Sequence, residues 1–238
     1  MPGPAAKPMF PATLFDFNGV LVDDESVHLA AFRDALAPLG IGLTDEAYVE
    51  KYLGYDDRGA FTALLEDNGR TVVEAEIERL IEAKRPLYLA RARQNLPTFA
   101  GAADAIRRRA AAGPIVIVSG ALRDEIELGL EVLGVRELVS AIVSAEDTRA
   151  GKPDPEGYRL GLAQLSAALG EQAARRAIVI EDSLAGIDAA SAAGLTCAAV
   201  AHTYPAAELE ARGAALVVPS IAELDEGRLG GVYRRLYG

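Results

Sequence analysis

In the stretch "LFDFNGVLVDDE", Leu14 to Glu25, an apolar run leads into a loop where an amide, Asn18, stands between the carboxylates Asp16 and Asp23. An apolar run without alternation suits a strand covered on both faces. Runs of the same kind recur at "ATLFDF" (12–17), "PIVIVSG" (114–120), "AIVSAED" (141–147), "AIVIEDS" (177–183) and "LTCAAVA" (195–201), and "AALVVPS" (214–220) offers a last one. Helical patterns such as "LRDEIELGLEVLGV" and "SLAGIDAASAAG" separate them. Strands alternating with helices predict an α/β fold, a doubly wound parallel sheet.

Residues 25–95 interrupt this rhythm. They hold no convincing strand and read as helices, in "ESVHLAAFRDALAPLG", "TDEAYVEKYLG", "DDRGAFTALLEDNG" and "TVVEAEIERLIEAKRPLYLARARQNL", with Thr44 or Asp45 and Thr71 as N-caps. The pattern predicts a second, all-helical domain over 25–95, inserted into a core formed by 1–24 and 96–238. Two crossings must then join them, near 20–25 and near 95–100, where "NLPTFAG" supplies Pro and Gly.

Composition narrows the function classes. Half the residues are apolar and a quarter charged, as in ordinary globular proteins. A net charge of -11 argues against nonspecific binding to nucleic acid or to an anionic membrane, so a phosphorylated ligand must meet a local positive site. No segment is apolar for long enough to span a bilayer, and the N-terminal "MPGPAAKPMFPA" reads as a frayed leader rather than a signal peptide. The single cysteine, Cys197, lies in an apolar run and has no intrachain partner, which predicts a reducing, cytoplasmic setting. Oligomeric state is not legible.

In an open parallel sheet, ligands bind beyond the carboxyl ends of the strands. The residues at those ends are Asp16, Asn18 and Asp23, then Ser119 and Gly120, then Lys152 in "RAGKPDP", and finally Glu181, Asp182 and Ser183. Each has a plainer reading by itself: a hairpin turn at Asn18-Gly19, a helix cap at Ser119, a solvated loop lysine, a helix N-terminus at 181–183. Together they bring acids, a hydroxyl and one lysine to one edge.

In this order the segments resemble the four motifs of the haloacid dehalogenase superfamily. "DFNGVLVDDE" is similar to its first motif, usually DxDGxxxD, "VSG" to the second, "GKPDP" to the third and "VIEDSLAGIDAASAAG" to the fourth. The beta-phosphoglucomutase-like and phosphoglycolate phosphatase-like branch, which carries a helical cap after the first motif, is the nearest likeness. The resemblance implies a Rossmann-like core and a Mg²⁺-dependent phosphatase of small phosphorylated metabolites, such as sugar phosphates or phosphoglycolate. Asp16 would be the nucleophile that forms an aspartyl phosphate. Mg²⁺ would be held by Asp16, the Asn18 carbonyl and Asp182, with Glu181 as a further candidate. Lys152 would neutralise the phosphoryl oxygens, Ser119 would bind one of them, and Gly120 would let backbone N–H groups approach. From the cap, the resemblance implies substrate contacts by His28, Arg58 and Lys84.

The amide at 18 stands where the family's acid/base protonates the leaving oxygen. An amide does not relay a proton in that way, whereas its backbone carbonyl still suits a cation, so binding and chemistry become separable. A positioned acid/base contributes about 10²- to 10⁴-fold, so alkyl phosphates are expected to turn over poorly. Three accounts stay open: an introduced substitution, a native residue in an enzyme that uses good leaving groups or another acid, or a phosphate-binding relic. A phosphomutase and a non-catalytic phosphometabolite-binding protein are the alternatives to the phosphatase. A phosphonate-cleaving enzyme would need a Schiff-base lysine, for which Lys51 and Lys84 are candidates, and a dehalogenase would not need "EDS" for magnesium.

Overall fold

The computed structural model describes residues 10–238, so most of the leader expected at 1–12 lies outside the described residues. Six strands, β1 (Thr13–Phe15), β2 (Ile115–Val118), β3 (Ala141–Val143), β4 (Ile178–Glu181), β5 (Thr196–Val200) and β6 (Leu216–Val218), form one sheet in the order β3-β2-β1-β4-β5-β6. All neighbouring pairs are parallel, with Leu14 opposite Val116 on one side and Val179 on the other. Each apolar run of the sequence yields one strand. The strands are shorter than the runs because the chain passes from Asp16, Ser119 and Asp182 into the loops at the sheet's carboxyl edge.

Alternating side chains divide the core. Phe15, Ile117 and Ile180 pack on one face of the sheet, and Leu14, Val116 and Val179 on the other, each against helices. Because β1 is central and the chain order reverses between β1 and β4, loops from both halves of the fold converge at the carboxyl ends of these two strands.

Residues 25–95 form helices at Glu25–Leu36, Asp57–Asp67 and Glu74–Gln94, with shorter turns between, and no strand. Phe32, Leu36, Phe61, Leu64, Leu65 and Ile77 build a separate apolar cluster there. Thr44 caps its turn by accepting from the Ala47 N–H at 3.1 Å. Thr71 is not a cap: the long helix starts after Val73, so that Ile77 reaches the cluster from its first turn, and no side chain caps it. The two chain crossings lie side by side, where the Asp23 N–H donates to the Pro97 carbonyl (3.0 Å) and the Phe99 N–H to the Leu21 carbonyl (3.1 Å). Among the described residues no helix is long and apolar enough to cross a membrane.

One buried cation fastens β1 in place. Arg109, 2% exposed, donates to the Phe10 carbonyl (2.7 Å) and the Thr13 hydroxyl (2.8 Å), and it pairs with Glu226 (2.8 Å) of the C-terminal helix. Arg109→Ala leaves that carbonyl and hydroxyl without a donor and is expected to cost about 3–5 kcal/mol of stability. Urea denaturation measures it, and a cost within the range of a surface ion pair, about 1 kcal/mol or less, contradicts this account.

Candidate active site

The carboxyl ends of β1 and β4 place three acids together. One oxygen each from Asp16, Glu181 and Asp182 lie within 4.8 Å of one another, and all three residues are buried. Lys152 reaches in from the loop before the Glu156–Leu169 helix and bridges Asp16 (2.7 Å) and Glu181 (2.6 Å). Thr203, after β5, donates to Asp182. Gly19 makes this closeness possible: its φ is +72°, and a Cβ there would stand 2.0 Å from the Asp182 carboxylate.

Three acids facing one lysine leave excess negative charge. Burial and Glu181 push Asp16 up to about 7 although Lys152 opposes the shift. Burial, Asp16 and Glu181 raise Asp182 well above the usual carboxylate range. Glu181 goes the other way: against its burial, Lys152, Tyr158 and Ser183 hold it below its ordinary value. Its oxygens accept from Lys152, from the Tyr158 hydroxyl (2.6 Å), from the Ser183 hydroxyl (3.0 Å) and from the Asp182 N–H (3.1 Å). Glu181 is thus largely occupied in placing Lys152, while Asp16 and Asp182 hold the uncompensated charge. Hard oxygen donors with surplus negative charge fit a small divalent cation.

Asn18 sits beside this cluster in a fixed orientation. Its amide nitrogen donates to both oxygens of Asp24 (3.0 and 2.9 Å), and its carbonyl oxygen accepts from the Ser119 hydroxyl (3.1 Å). Asp24, wholly buried, also accepts from Tyr88 and lies 3.2 Å from His28. Against the penalty of burial, His28, Tyr88 and Asn18 hold Asp24 down to about 2. The residue pairing with the amide is therefore Asp24, whereas Asp23, the acid expected from the motif, is exposed, its backbone engaged by Pro97. Neighbouring residues on a loop face opposite ways, and the second acid of "DDE" is the one turned inward.

The cleft above these residues is lined by Asp16, Asn18, Ser119, Gly120, Lys152 and Asp182 from the sheet edge and by His28 from the helical block. Its volume is about 340 Å³. The remaining cap candidates lie elsewhere. Lys84 is wholly buried outside the lining, paired with Asp57 and 2.8 Å from His28 Nδ1. Arg58 is exposed and paired with Glu74, because its position on the first turn of the Asp57–Asp67 helix points it away from the cleft. Lys51 is exposed and pairs with Asp67. Sequence reasoning missed Asp24, Thr203 and Tyr158. Thr203 was findable, since β5 neighbours β4 and its carboxyl end shares the same edge. Tyr158 gave no signal, because one apolar-faced helix position looks like another.

A sequence profile of haloacid dehalogenase-like hydrolases matches residues 13–200. The chain is 29% identical over 203 residues to validoxylamine A 7'-phosphate phosphatase of Streptomyces hygroscopicus subsp. limoneus, covering 84% of this chain and 90% of that protein. It is 26% identical over 212 residues to the phosphorylated carbohydrates phosphatase of Thermotoga maritima, covering 87% and 94%. Among solved structures, CbbY from Rhodobacter sphaeroides in complex with phosphate superposes with a TM-score of 0.78 at 26% identity, over 90% of this chain and 96% of that one.

Protons and a divalent cation compete for Asp16 and Asp182. In thermal unfolding with and without millimolar Mg²⁺, the cation is expected to raise Tm clearly at pH 8, where Asp16 is ionised, and little at pH 5, where Asp16 keeps its proton. Equal shifts at the two pH values overturn the cluster as a cation site.

Proposed function

Since the chain belongs to the haloacid dehalogenase-like hydrolase family, we propose that it is a Mg²⁺-dependent phosphatase of small phosphorylated metabolites of the sugar phosphate or phosphoglycolate type, working through an aspartyl phosphate on Asp16. The observation that carries this reading is the convergence of Asp16, Lys152 and Asp182 at the end of the central strands, beneath a cleft of metabolite size. The names of its relatives, phosphatases of phosphorylated carbohydrates among them, support the substrate class.

Asp16 attacks phosphorus, its oxygen forming the new bond as the bond to the ester oxygen breaks; water then attacks the same phosphorus, the bond to Asp16 breaks to regenerate the carboxylate, and the proton that water sheds ends by way of solvent on the departed alkoxide or the phosphate. Lys152, released from part of its pairing with Asp16 when the phosphoryl group arrives, offsets charge on the equatorial oxygens. Ser119 can turn its hydroxyl from Asn18 to the phosphoryl group, and Gly120 leaves room for the backbone. Mg²⁺ would be held by Asp16, the Asn18 carbonyl and Asp182, and when bound it supplies countercharge between nucleophile and phosphate. Glu181 serves in this scheme by positioning Lys152. Residues 25–95 act as the cap over a core of 1–24 and 96–238, and closure excludes water. His28 contributes through Asn18 and Asp24, with Lys84 behind it. The outward, paired Arg58 removes the cation a second phosphate would need, which favours the phosphatase over the phosphomutase.

A second reading, a protein that binds phosphometabolites without turnover, draws on the orientation of Asn18: both amide protons are directed toward Asp24 or His28, and nothing at that position passes a proton. One experiment addresses both. With Mg²⁺, Asn18→Asp is expected to gain about 100-fold on an alkyl phosphate and little on p-nitrophenyl phosphate, whose leaving group needs no proton. The new carboxyl would face Asp24, so like-charge repulsion holds a proton between them. The gain therefore shrinks as pH rises and that proton is lost. Asp16→Asn abolishes turnover of both esters. If neither the unaltered protein nor the Asn18→Asp variant hydrolyses the aryl ester, the binding reading replaces the phosphatase.

A further inference from the structure

The cleft wall that carries Glu25, Asp57 and Glu125 is acidic, and two of its carboxylate oxygens have no donor. Asp56 hangs from the helical block over the phosphate end: its Oδ1 accepts from the Gly59 N–H (2.7 Å), and a Cβ on Gly151 would stand 2.6 Å from its Oδ2. Glu25 accepts from the Tyr48 hydroxyl at 2.6 Å. Asp57 pairs with Lys84 through Oδ1, and its Oδ2, buried, accepts from nothing. Glu125, 1% exposed, accepts from the Leu122 N–H through Oε2, while Oε1 is likewise buried without a donor. All four acids line the cleft. The countercharges on that side are Lys84, held by Asp57, and His28, held by Asp24.

Buried acceptors without donors are costly, and what enters beside them is selected by how many donors it brings. A phosphate brings only acceptors and negative charge. A hydroxyl brings one donor and no charge. A protonated amine brings up to three donors and the opposite charge. Resting on the phosphatase reading above, we propose that the alcohol half of the substrate carries a protonated amine, so that the chain acts on phosphate monoesters of amino-substituted polyols, with Glu125, Asp57 and Glu25 selecting the amine and rejecting a second phosphate. Coulomb attraction to those acids that are ionised adds to the discrimination, since burial leaves them less screened than surface charges.

The test compares glucosamine 6-phosphate, glucose 6-phosphate and fructose 1,6-bisphosphate at neutral pH with Mg²⁺, as substrates and as competitive inhibitors of p-nitrophenyl phosphate hydrolysis. Glucosamine 6-phosphate is expected to exceed glucose 6-phosphate by about tenfold in kcat/KM or inhibition constant, with the bisphosphate last. In Glu125→Gln that ratio falls toward one whatever happens to the absolute rate, and Glu25→Gln supplies the same readout should the buried Glu125 variant fail to fold. If the aryl ester is hydrolysed but the two hexose phosphates rank equally, or the bisphosphate ranks first, the inference falls and the phosphatase stands. If no ester is hydrolysed, the phosphatase falls, and titration calorimetry with the same three ligands and Mg²⁺ decides the inference: tighter binding of glucosamine 6-phosphate upholds it, equal affinities overturn it.

Discussion

The bridge from Lys152 to Asp16 and Glu181 is the interaction on which this site depends. Three carboxylates within 4.8 Å repel one another strongly in a buried setting, and one ammonium touching two of them makes the arrangement tolerable. That ammonium is only partly exposed, and its position is fixed by what surrounds it. Glu181 does this from the end of β4, fastened by Tyr158, by Ser183 and by backbone N–H groups at the start of the next helix. The lysine is consequently not free to swing away, and the surplus charge is left on Asp16 and Asp182. On the proposed reading, an anion would take over the lysine while a divalent cation takes over the acids.

The sheet exists to bring those parts together. Asp16, Ser119, Lys152 and Asp182 are far apart in the chain, and only the strand order, with β1 central between β2 and β4, sets their loops on one edge. A close approach at Gly19 then closes the gap, since any side chain there would collide with Asp182. Topology therefore gives proximity to within a loop's length, and a single backbone position gives the rest.

What was legible in the sequence follows from this division. Strand runs such as "PIVIVSG" announce themselves because burial on both faces leaves no polar interruption, and the polar residues that end each run mark the sheet edge. Spacing cannot say which way a loop residue turns. Asp23 and Asp24 are equal as letters, yet one faces solvent and the other takes both amide hydrogen bonds of Asn18. Arg58 and Asp57 are the same kind of case: one residue of helical rotation separates a guanidinium paired at the surface from a carboxylate on the cleft wall. Lys84 reads as an ordinary helical lysine and proves wholly buried, because its partners Asp57 and His28 come from helices 27 and 56 residues away in the chain.

The amide at 18 and the acid at 24 are best understood as one unit. A buried carboxylate needs donors for both oxygens, and Asn18 supplies hydrogen bonds to each while Tyr88 adds another. An aspartate at 18 would instead set two negative groups face to face, unless a proton stayed between them. The acid at 24 thus makes the amide the stabilising choice in the resting protein, and that supports treating Asn18 as intrinsic to this chain's design rather than as a lesion in it. The same pairing turns the Asn18 side-chain oxygen toward the Ser119 hydroxyl, so one amide ties the loop after β1 both to the buried acid and to the loop after β2.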